Sequence, residues 1–179
     1  MTDHLSPEKR SWNMSRVRSR HTKPELIIRS LLHRAGFRFR IKNNKLPGSP
    51  DIVLPKYTTA LFVHGCYWHR HAGCSKATLP KSNRESWQKK FDNNVARDRR
   101  VQNELRELQW RVLVLWECEI MNDPLAVLDR IIEQLGQDAD RKYSVDMDRG
   151  QILKVAEKKN RYYLNSYQTK KKECGNKTE

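Results

Sequence analysis

The stretch ALFVHGCYWHRHAGC, residues 60 to 74, decides how this sequence folds around its functional residues. It begins with an apolar run of strand length, ALFVH, and continues with two cysteines, two further histidines and the adjacent aromatic residues Tyr67 and Trp68. Cys66, His71 and Cys74 lie within nine residues, the local density that a tetrahedral Zn²⁺ site requires when a loop wraps the ion. The stretch therefore predicts a strand that leads directly into a metal-binding loop.

A fourth ligand for this ion lies far along the chain. Cys118 follows the predicted strand RVLVLW, and a strand end can bring it beside the end of ALFVH in the same sheet. A structural zinc site with three cysteines and one histidine would result. The alternative is that Cys66 and Cys118 are small buried hydrophobic residues and His71 lies on the surface, since free cysteine is commonly buried. Four such residues beside predicted strands favour zinc, and Cys174 is the leftover thiol.

A second group of residues around the same strand suits hydrolysis of a phosphodiester. That reaction takes a metal-bound carboxylate and groups that move protons. Asp51 follows the tight turn LPGSP, Val63 and His64 close the strand, and His69 titrates near neutral pH. Asp51 could instead cap the turn, and His64 could be a core histidine. His69 could bind zinc in place of His71, but spacing favours the catalytic interpretation of Asp51 and His69.

Glu25 has a simpler explanation. The pattern Thr22-x-x-Glu25 is a capping box at the start of a helix predicted from TKPELIIRSLLHRAG, residues 22 to 36. The cap accounts for this glutamate without catalysis, so spacing alone leaves Glu25 outside the active site.

The order of the predicted elements describes an α/β domain. The first helix is followed by strands at FRFRI (37 to 41), DIVL and ALFVH, and by an irregular stretch from 65 to 82. A long amphipathic helix begins near Asn83, RVLVLW (111 to 116) has the composition of a buried strand, and DPLAVLDRIIEQLG predicts a closing helix. This order predicts a central mixed sheet flanked by helices. The apolar positions of the long helix are Trp87, Phe91, Val95, Val101, Leu105 and Leu108.

Composition limits the partner. The 179 residues suit one domain, and 36 Lys+Arg against 21 Asp+Glu give a net charge of +15, which favours a polyanionic partner. The apolar stretches are only strand-sized, which predicts a soluble intracellular protein. In that reducing compartment cysteines are more often thiols or metal ligands than disulfides. We expect a basic arm or short helix over 1–21, the folded domain over 22–140, and a lysine-rich extension over 141–179 that is flexible or a short helix.

Six motifs in order resemble the very short patch repair (Vsr) endonucleases. They are NM at 13 to 14, TKPE at 22 to 25, LPGSPDIV at 46 to 53, FVHGCYWHRHAGC at 62 to 74, NVARDRR at 94 to 100 and WRVLVLWEC at 110 to 118. The resemblance covers roughly residues 8 to 135 and implies a distant variant of the type II restriction endonuclease fold, of the PD-(D/E)XK type.

The resemblance also implies roles for individual residues. Asp51 and the Val63 carbonyl would hold Mg²⁺, and Glu25, His64 and His69 would complete the active site. His69 resembles a general base or the group that orients the water, and His64 a partner of the phosphate or leaving group. The family's structural zinc ligands correspond to Cys66, His71, Cys74 and Cys118.

The resemblance assigns DNA contacts to three further residues. Tyr67 and Trp68 would insert beside a mismatch from the major groove, and Met14 would enter from the minor groove. Unstacking costs a few kcal/mol per step and least at a mispaired step, so such a wedge discriminates mismatched from paired DNA. The alternative, that both rings are core aromatics, is weaker because an irregular loop between metal ligands has little core to offer.

The activity implied is that of a Mg²⁺-dependent endonuclease that nicks duplex DNA 5′ of the thymine in a T:G mismatch. Such mismatches arise when 5-methylcytosine deaminates, which implies a DNA cytosine-5 methyltransferase as functional companion. A single-strand nick needs only a monomer, and the implied location is the bacterial cytoplasm, at the nucleoid when bound. The alternatives are a nuclease with broader mismatch or paired-site specificity and a non-catalytic, zinc-stabilised DNA-binding module.

Overall fold

A three-stranded sheet with helices on both faces forms the centre of the computed structural model, which describes residues 6–18, 20–41 and 45–136. No helix within these ranges is long and apolar enough to cross a bilayer. The elements in chain order are α1 (Pro7–Ser15), α2 (Lys23–Arg34), β1 (Ile52–Leu54), β2 (Thr59–His64), α3 (Arg84–Glu107), β3 (Arg111–Trp116), α4 (Glu117–Asn122) and α5 (Pro124–Leu135).

The sheet has the order β1-β2-β3 and is mixed, as the sequence predicts. Strand β1 runs antiparallel to β2, with Ile52 opposite Leu61. Strand β3 runs parallel to β2, with His64 opposite Trp116, and helix α3 connects the two. Because β2 and β3 are parallel, their carboxyl ends lie at the same edge of the sheet.

Each face of the sheet packs against its own helices. Alternate residues of β2 point to opposite faces, so Leu61 enters one core while Ala60 and Phe62 enter the other. The larger core contains buried residues of β1, β2 and β3 with those of α2, α4 and α5. The smaller core lies under α3, which contributes Val101 and Leu105. The sheet is thus held from both sides, which fixes the positions of its strand ends.

The loop before β1 packs directly onto helix α3. Gly48 has a φ of +69°, and a Cβ atom built there would lie 2.1 Å from Cγ1 of Val101. Only glycine fits such an approach and such a φ. This contact fixes the LPGSP turn, and with it the start of β1 at Asp51 and Ile52.

Three predictions about elements are wrong in detail. The strand predicted at 37–41 is reduced to one bridge between Arg40 and Val53, because in the three-residue β1 only Val53 presents its backbone to that edge. The prediction of a buried β3 holds only for Leu115, since β3 is an edge strand. Leu108 was predicted to be an apolar position of the long helix, but it is 55% exposed because α3 ends at Glu107.

The remaining sequence predictions of elements are mostly confirmed. The N-terminal segment contains helix α1, and α2 begins after Thr22 as predicted. Residues 65 to 82 contain no helix or strand, and α3 and α5 lie where the periodicity places them. The six-residue α4 was not predicted. The predicted extension over 141–179 lies outside the described residues.

Candidate functional site

Asp51 stands immediately before β1, at the entrance to the sheet. Its Oδ2 accepts a hydrogen bond from the Val63 N–H (2.8 Å), and its own N–H donates to the Leu61 carbonyl (3.0 Å). Within the described part of the chain Oδ1 has no hydrogen-bond donor and is available to a ligand. Burial raises the pKa of the Asp51 carboxyl to about 6, although the Val63 N–H opposes the shift. A cation at Oδ1 would favour the ionised form.

The Val63 carbonyl points to the side of β2 on which Asp51 lies. The backbone groups of Thr59 and Leu61 point to β1 on that side, and Val63 is the next residue of β2 whose backbone groups point the same way. Since β1 begins at Ile52, the Asp51 side chain takes the place of a strand opposite Val63. A carboxylate oxygen and a main-chain carbonyl together are ligands of the kind that Mg²⁺ prefers.

Glu25 lies in the same cleft as Asp51 but is fully hydrogen-bonded. Its Oε1 accepts from the N–H (3.2 Å) and hydroxyl (2.7 Å) of Thr22. Its Oε2 accepts from the N–H of His21 (3.1 Å) and from Nη2 of Arg29 (2.7 Å). The predicted cap at Thr22 is therefore present, and the negative charge of Glu25 also helps to raise the pKa of Asp51.

His64 and His69 form a stacked pair at the end of β2. Their ring centroids are 3.9 Å apart and their planes differ by 16°. His64 is buried, and burial lowers its pKa to about 4, with the charge of His69 acting in the same direction. His64 is therefore a neutral imidazole at pH 7.

Asp98 of α3 holds His69 in a defined orientation. Its Oδ2 is hydrogen-bonded to Nδ1 of His69, which leaves Nε2 of that ring for the cleft. Burial raises the pKa of Asp98, but the hydrogen bond and charge of His69 outweigh burial and hold this pKa below its ordinary value. An ionised carboxylate on Nδ1 fixes the tautomer of a histidine and stabilises its protonated form. The pair has the arrangement of a general base with its orienting group.

These residues share one cleft with a volume of about 770 Å³. It contains Glu25, Asp51, Val63, His64, His69 and Asp98. Arg18, Arg20 and Arg97 also line it, and arginines in a cleft attract a phosphate backbone. The structure thus brings together the four residues predicted to be catalytic and surrounds them with positive charge.

The four predicted zinc ligands also lie together. The donor atoms of Cys66, His71, Cys74 and Cys118 are all within 4.8 Å of one another. Nδ1 of His71 is 3.2 Å from Sγ of Cys118 and 3.7 Å from Sγ of Cys66. A tetrahedral zinc with bonds of about 2.3 Å to sulfur and 2.05 Å to nitrogen places such pairs roughly 3.6 Å apart. The donor set and its spacing fit a structural zinc ion.

The sheet explains why these ligands meet. His64 and Trp116 are opposite each other at the ends of two parallel strands, and Cys66 and Cys118 each follow two residues later. The loop then turns back through a hydrogen bond from the His71 N–H to the Cys66 carbonyl (3.1 Å), and the His71 ring stacks on Trp116 (4.1 Å). Burial raises the pKa of Cys66 to about 12, so this thiol needs a bound cation to ionise near neutral pH.

Tyr67 and Trp68 belong to an aromatic cluster with Trp87 and Phe91 of α3. The Tyr67 ring lies 5.1 Å from both Trp68 and Phe91, at 90° to each, and Trp87 lies 6.1 Å from both Tyr67 and Trp68. The prediction that this loop has little hydrophobic core to pack against is wrong, because α3 supplies Trp87 and Phe91. Both residues are nevertheless half-exposed, so they pack against α3 and keep part of each ring open.

Met14 lies on α1 and is 43% exposed. Trp12 and Val17 beside it are also exposed, and the Arg16 guanidinium lies 3.8 Å from the centroid of the Trp12 ring. Val17 and Arg18 reach the cleft, so the chain that carries Met14 leads to the cleft that holds Asp51 and His69.

Sequence reasoning missed two residues of the site. Asp98 lies within NVARDRR, a motif that contributed to the resemblance to the Vsr endonucleases but for whose residues no role was predicted. Arg29 follows Glu25 by four residues, a spacing that places the two on one face of α2 and could have indicated their ion pair. The stacking of His71 on Trp116 depends on strand register and has no sequence signal.

Comparisons with known proteins agree on one family. Residues 2–76 match the family DNA mismatch endonuclease Vsr. The chain is 52% identical over 120 residues to the type II nicking enzyme V.XorIIP of Xanthomonas oryzae pv. oryzae, which covers 67% of this chain and 88% of that protein. It is 40% identical over 137 residues to the type II nicking enzyme V.NmeAIP of Neisseria meningitidis serogroup A, covering 75% and 97%. It is 38% identical over 135 residues to the DNA mismatch endonuclease Vsr of Escherichia coli K12, covering 75% and 86%.

Proposed function

The chain belongs to the Vsr family of DNA mismatch endonucleases, and on this basis we propose that it nicks one strand of duplex DNA 5′ of the thymine in a T:G mismatch. Family membership makes the protein a DNA endonuclease; the mismatch, the strand and the roles of residues are the proposal. The observation that carries it is that one basic cleft holds both Asp51, whose Oδ1 accepts no hydrogen bond from the described residues, and His69, which Asp98 orients.

The metal ligands in this proposal are Oδ1 of Asp51 and the carbonyl of Val63. Both are oxygens, and both lie where β2 extends beyond the start of β1. When bound, Mg²⁺ supplies positive charge for the phosphate and a water molecule with a lowered pKa. Asp51 must be ionised to bind it, and its pKa of about 6 in the metal-free protein makes that binding coupled to loss of a proton near pH 6.

The proton moves to His69. In this proposal the attacking water gives its proton to Nε2 of His69 as its oxygen bonds to phosphorus. The bond from phosphorus to the leaving oxygen then breaks, and that oxygen keeps the electron pair and takes up a proton from solvent water. Asp98 stabilises the resulting imidazolium through Nδ1. The neutral His64 ring, stacked on His69, is placed to donate a hydrogen bond to the phosphate or the leaving oxygen.

Recognition in this proposal uses the aromatic cluster and the basic arm. Tyr67 and Trp68 wedge beside the mismatch, where unstacking costs least, and Met14 enters the opposite groove. The zinc ion would stiffen the loop that carries the wedge. A T:G mismatch follows deamination of 5-methylcytosine, so a DNA cytosine-5 methyltransferase is the companion activity, and a variant of the restriction endonuclease fold is the expected architecture.

A nicking assay with Mg²⁺ tests this proposal. Two end-labelled duplexes differ only by T:G or C:G at one methylation-type site, and each is incubated with the wild type and with Asp51→Ala. Asp92→Ala is the matched control, because Asp92 is exposed on α3. We expect a T:G-dependent nick that is lost in Asp51→Ala and kept in Asp92→Ala. Cleavage of both duplexes would indicate a restriction-like nuclease, and binding without cleavage a non-catalytic DNA-binding module.

A further inference from the structure

Arg29 is a buried cation that the mechanism above does not use. Its side chain is 9% exposed, although arginine is seldom buried unless it is paired. It lies on the face of α2 that packs toward the sheet, and its Nε has no hydrogen-bond partner within the described residues. A buried guanidinium with one unsatisfied nitrogen costs free energy, so its remaining contacts need an explanation.

Those contacts join three segments of the chain. Nη2 donates to Oε2 of Glu25 (2.7 Å) within α2 and to the main-chain carbonyl of Asp51 (3.1 Å) in the loop before β1. Nη1 lies 3.0 Å from Nδ1 of His21, the residue that precedes the helix cap. Because arginine only donates, His21 accepts here through an unprotonated Nδ1. One side chain therefore links the helix cap, helix α2 and the main chain of Asp51.

The consequence is that every polar group of Asp51 except one is held. The N–H donates to Leu61, the carbonyl accepts from Arg29, and Oδ2 accepts from Val63. Oδ1 is the group left for a ligand. Fixing the main-chain carbonyl on one side and Oδ2 on the other prevents Asp51 from rotating, so Oδ1 stays directed into the cleft.

We propose that Arg29 is a positioning residue of the nuclease, which ties the main chain of Asp51 to Glu25 and so presents Oδ1 of Asp51 to the metal. The proposal rests on the proposed function for the identity of the metal site. Arg29 touches neither metal nor DNA and acts through Asp51. It also gives Glu25 its place in the site: Glu25 anchors Arg29 and binds no metal itself, since both of its carboxylate oxygens are already hydrogen-bonded.

Positive charge alone would not fill this role. A lysine would keep the charge, but its single ammonium cannot replace a planar fork that reaches Glu25, His21 and Asp51 together.

The test measures metal binding separately from DNA cleavage. Mn²⁺ binding to the full-length protein is titrated by electron paramagnetic resonance for the wild type, Arg29→Met, Arg29→Lys and the control Arg34→Met, with Asp51→Asn as background. Arg34 is exposed at the end of the same helix. Single-turnover nicking of the T:G duplex is then followed against Mg²⁺ concentration, and melting temperatures show which variants are folded.

We expect Arg29→Met to lower Mn²⁺ affinity about tenfold or more, as loss of a residue that orients a ligand does. We also expect the Mg²⁺ concentration that gives half-maximal nicking to rise by a similar factor, because the same site is weakened. Arg34→Met should match the wild type. Unchanged Mn²⁺ affinity and an unchanged Mg²⁺ requirement in folded Arg29→Met would overturn the proposal, and if that variant does not fold, wild-type values in Arg29→Lys overturn it.

The two proposals fail in different ways. A wild type that binds Mn²⁺ through Asp51 but does not nick DNA overturns the proposed function, while the affinity of the Arg29 variants still decides the positioning role. A wild type without Asp51-dependent Mn²⁺ binding overturns the positioning role together with the metal assignment.

Discussion

His69, in the loop after β2, is hydrogen-bonded through Nδ1 to Asp98 of helix α3, 29 residues further along the chain. Helix α3 packs on one face of the sheet, and the loop with His69 begins at the carboxyl end of β2. The contact therefore joins two sides of the cleft. The same helix contributes Val101, which meets Gly48 in the turn before Asp51. Helix α3 thus sets the distance between Asp51, the proposed metal ligand, and His69, the proposed general base.

The first prediction concerns Asp98. Asp98→Asn keeps the size of the side chain but removes the negative charge that stabilises a protonated His69. We expect single-turnover nicking of a T:G duplex to fall by about 100-fold or more, the usual contribution of general-base catalysis. DNA affinity in a mobility-shift assay should stay within about twofold of the wild type. Asp92→Asn, on an exposed face of the same helix, should keep full activity, and a wild-type rate in Asp98→Asn would contradict the dyad.

The second prediction follows from the pKa of Asp51. This pKa is about 6 in the folded protein and 3.8 in the reference state, so the folded state binds this proton more tightly than the unfolded state. Because the pKa of the Asp51 carboxyl is higher in the folded state, the free energy of unfolding falls as pH rises from about 4 to about 6 and stays lower above that range. Asp51→Asn removes the buried charge but keeps an acceptor for the Val63 N–H.

We therefore expect Asp51→Asn to be more stable than the wild type at pH 7.5 by about 1 to 3 kcal/mol, without added Mg²⁺. The gain should be smaller at pH 5, where Asp51 is protonated in most of the folded wild type. Urea unfolding of both proteins at the two pH values measures it. Protonation of the zinc ligands affects both proteins equally, so their difference isolates Asp51, and an equal gain at both pH values would contradict the assignment.

Sequence reasoning recovered most of the fold because its signals are local. The capping box at Thr22, the helical period of α3 and the apolar run of β2 each depend on neighbouring residues. The strand predicted at FRFRI failed because strand length depends on the partner, and β1 offers only Val53 at that edge. Helix α4 was missed because six residues with one buried side chain, Ile120, carry too little periodicity.

The site shows the same division. The sequence could predict that Cys66 and Cys118 lie close together. Each follows one of two parallel strands, and the carboxyl ends of parallel strands lie on the same side of the sheet even if their exact register is unknown. The contacts of Asp98 and Arg29 could not, because each depends on how a helix packs against a loop, which no local pattern encodes. Resemblance assigned Glu25 to the site, but only the structure shows that its carboxylate is occupied by Thr22 and Arg29.

The third prediction concerns the zinc site. We expect the purified protein to carry one zinc ion per chain, and Cys118→Ser to lose it and to lower the melting temperature by about 10 °C or more, since metal binding contributes to folding. Elemental analysis and thermal unfolding measure the two effects. Cys174→Ser is the matched control, because the sequence assigns that thiol no ligand role, and it should keep both zinc and stability. Full zinc content in Cys118→Ser would exclude Cys118 as a ligand.

The last prediction concerns the wedge. Tyr67 packs edge to face against both Trp68 and Phe91 of α3, and both Tyr67 and Trp68 remain partly accessible in the free protein. A supported ring loses little conformational freedom on insertion, which favours its use as a rigid wedge. Stacking of a base on an aromatic side chain contributes about 1–3 kcal/mol. Removing either ring should therefore lower the ratio of nicking rates on T:G and C:G duplexes by about tenfold.

Trp68→Ala and Tyr67→Ala test this with Leu108→Ala as control, because Leu108 is an exposed apolar residue that does not line the cleft. The control should keep the wild-type ratio. Trp68→Phe should restore much of it, since a ring of smaller area can still stack. A ratio that stays at the wild-type value in folded Trp68→Ala and Tyr67→Ala would assign the pair to packing against α3 alone, and mismatch recognition would then have to come from contacts in the opposite groove, where Met14 would be the residue to substitute next.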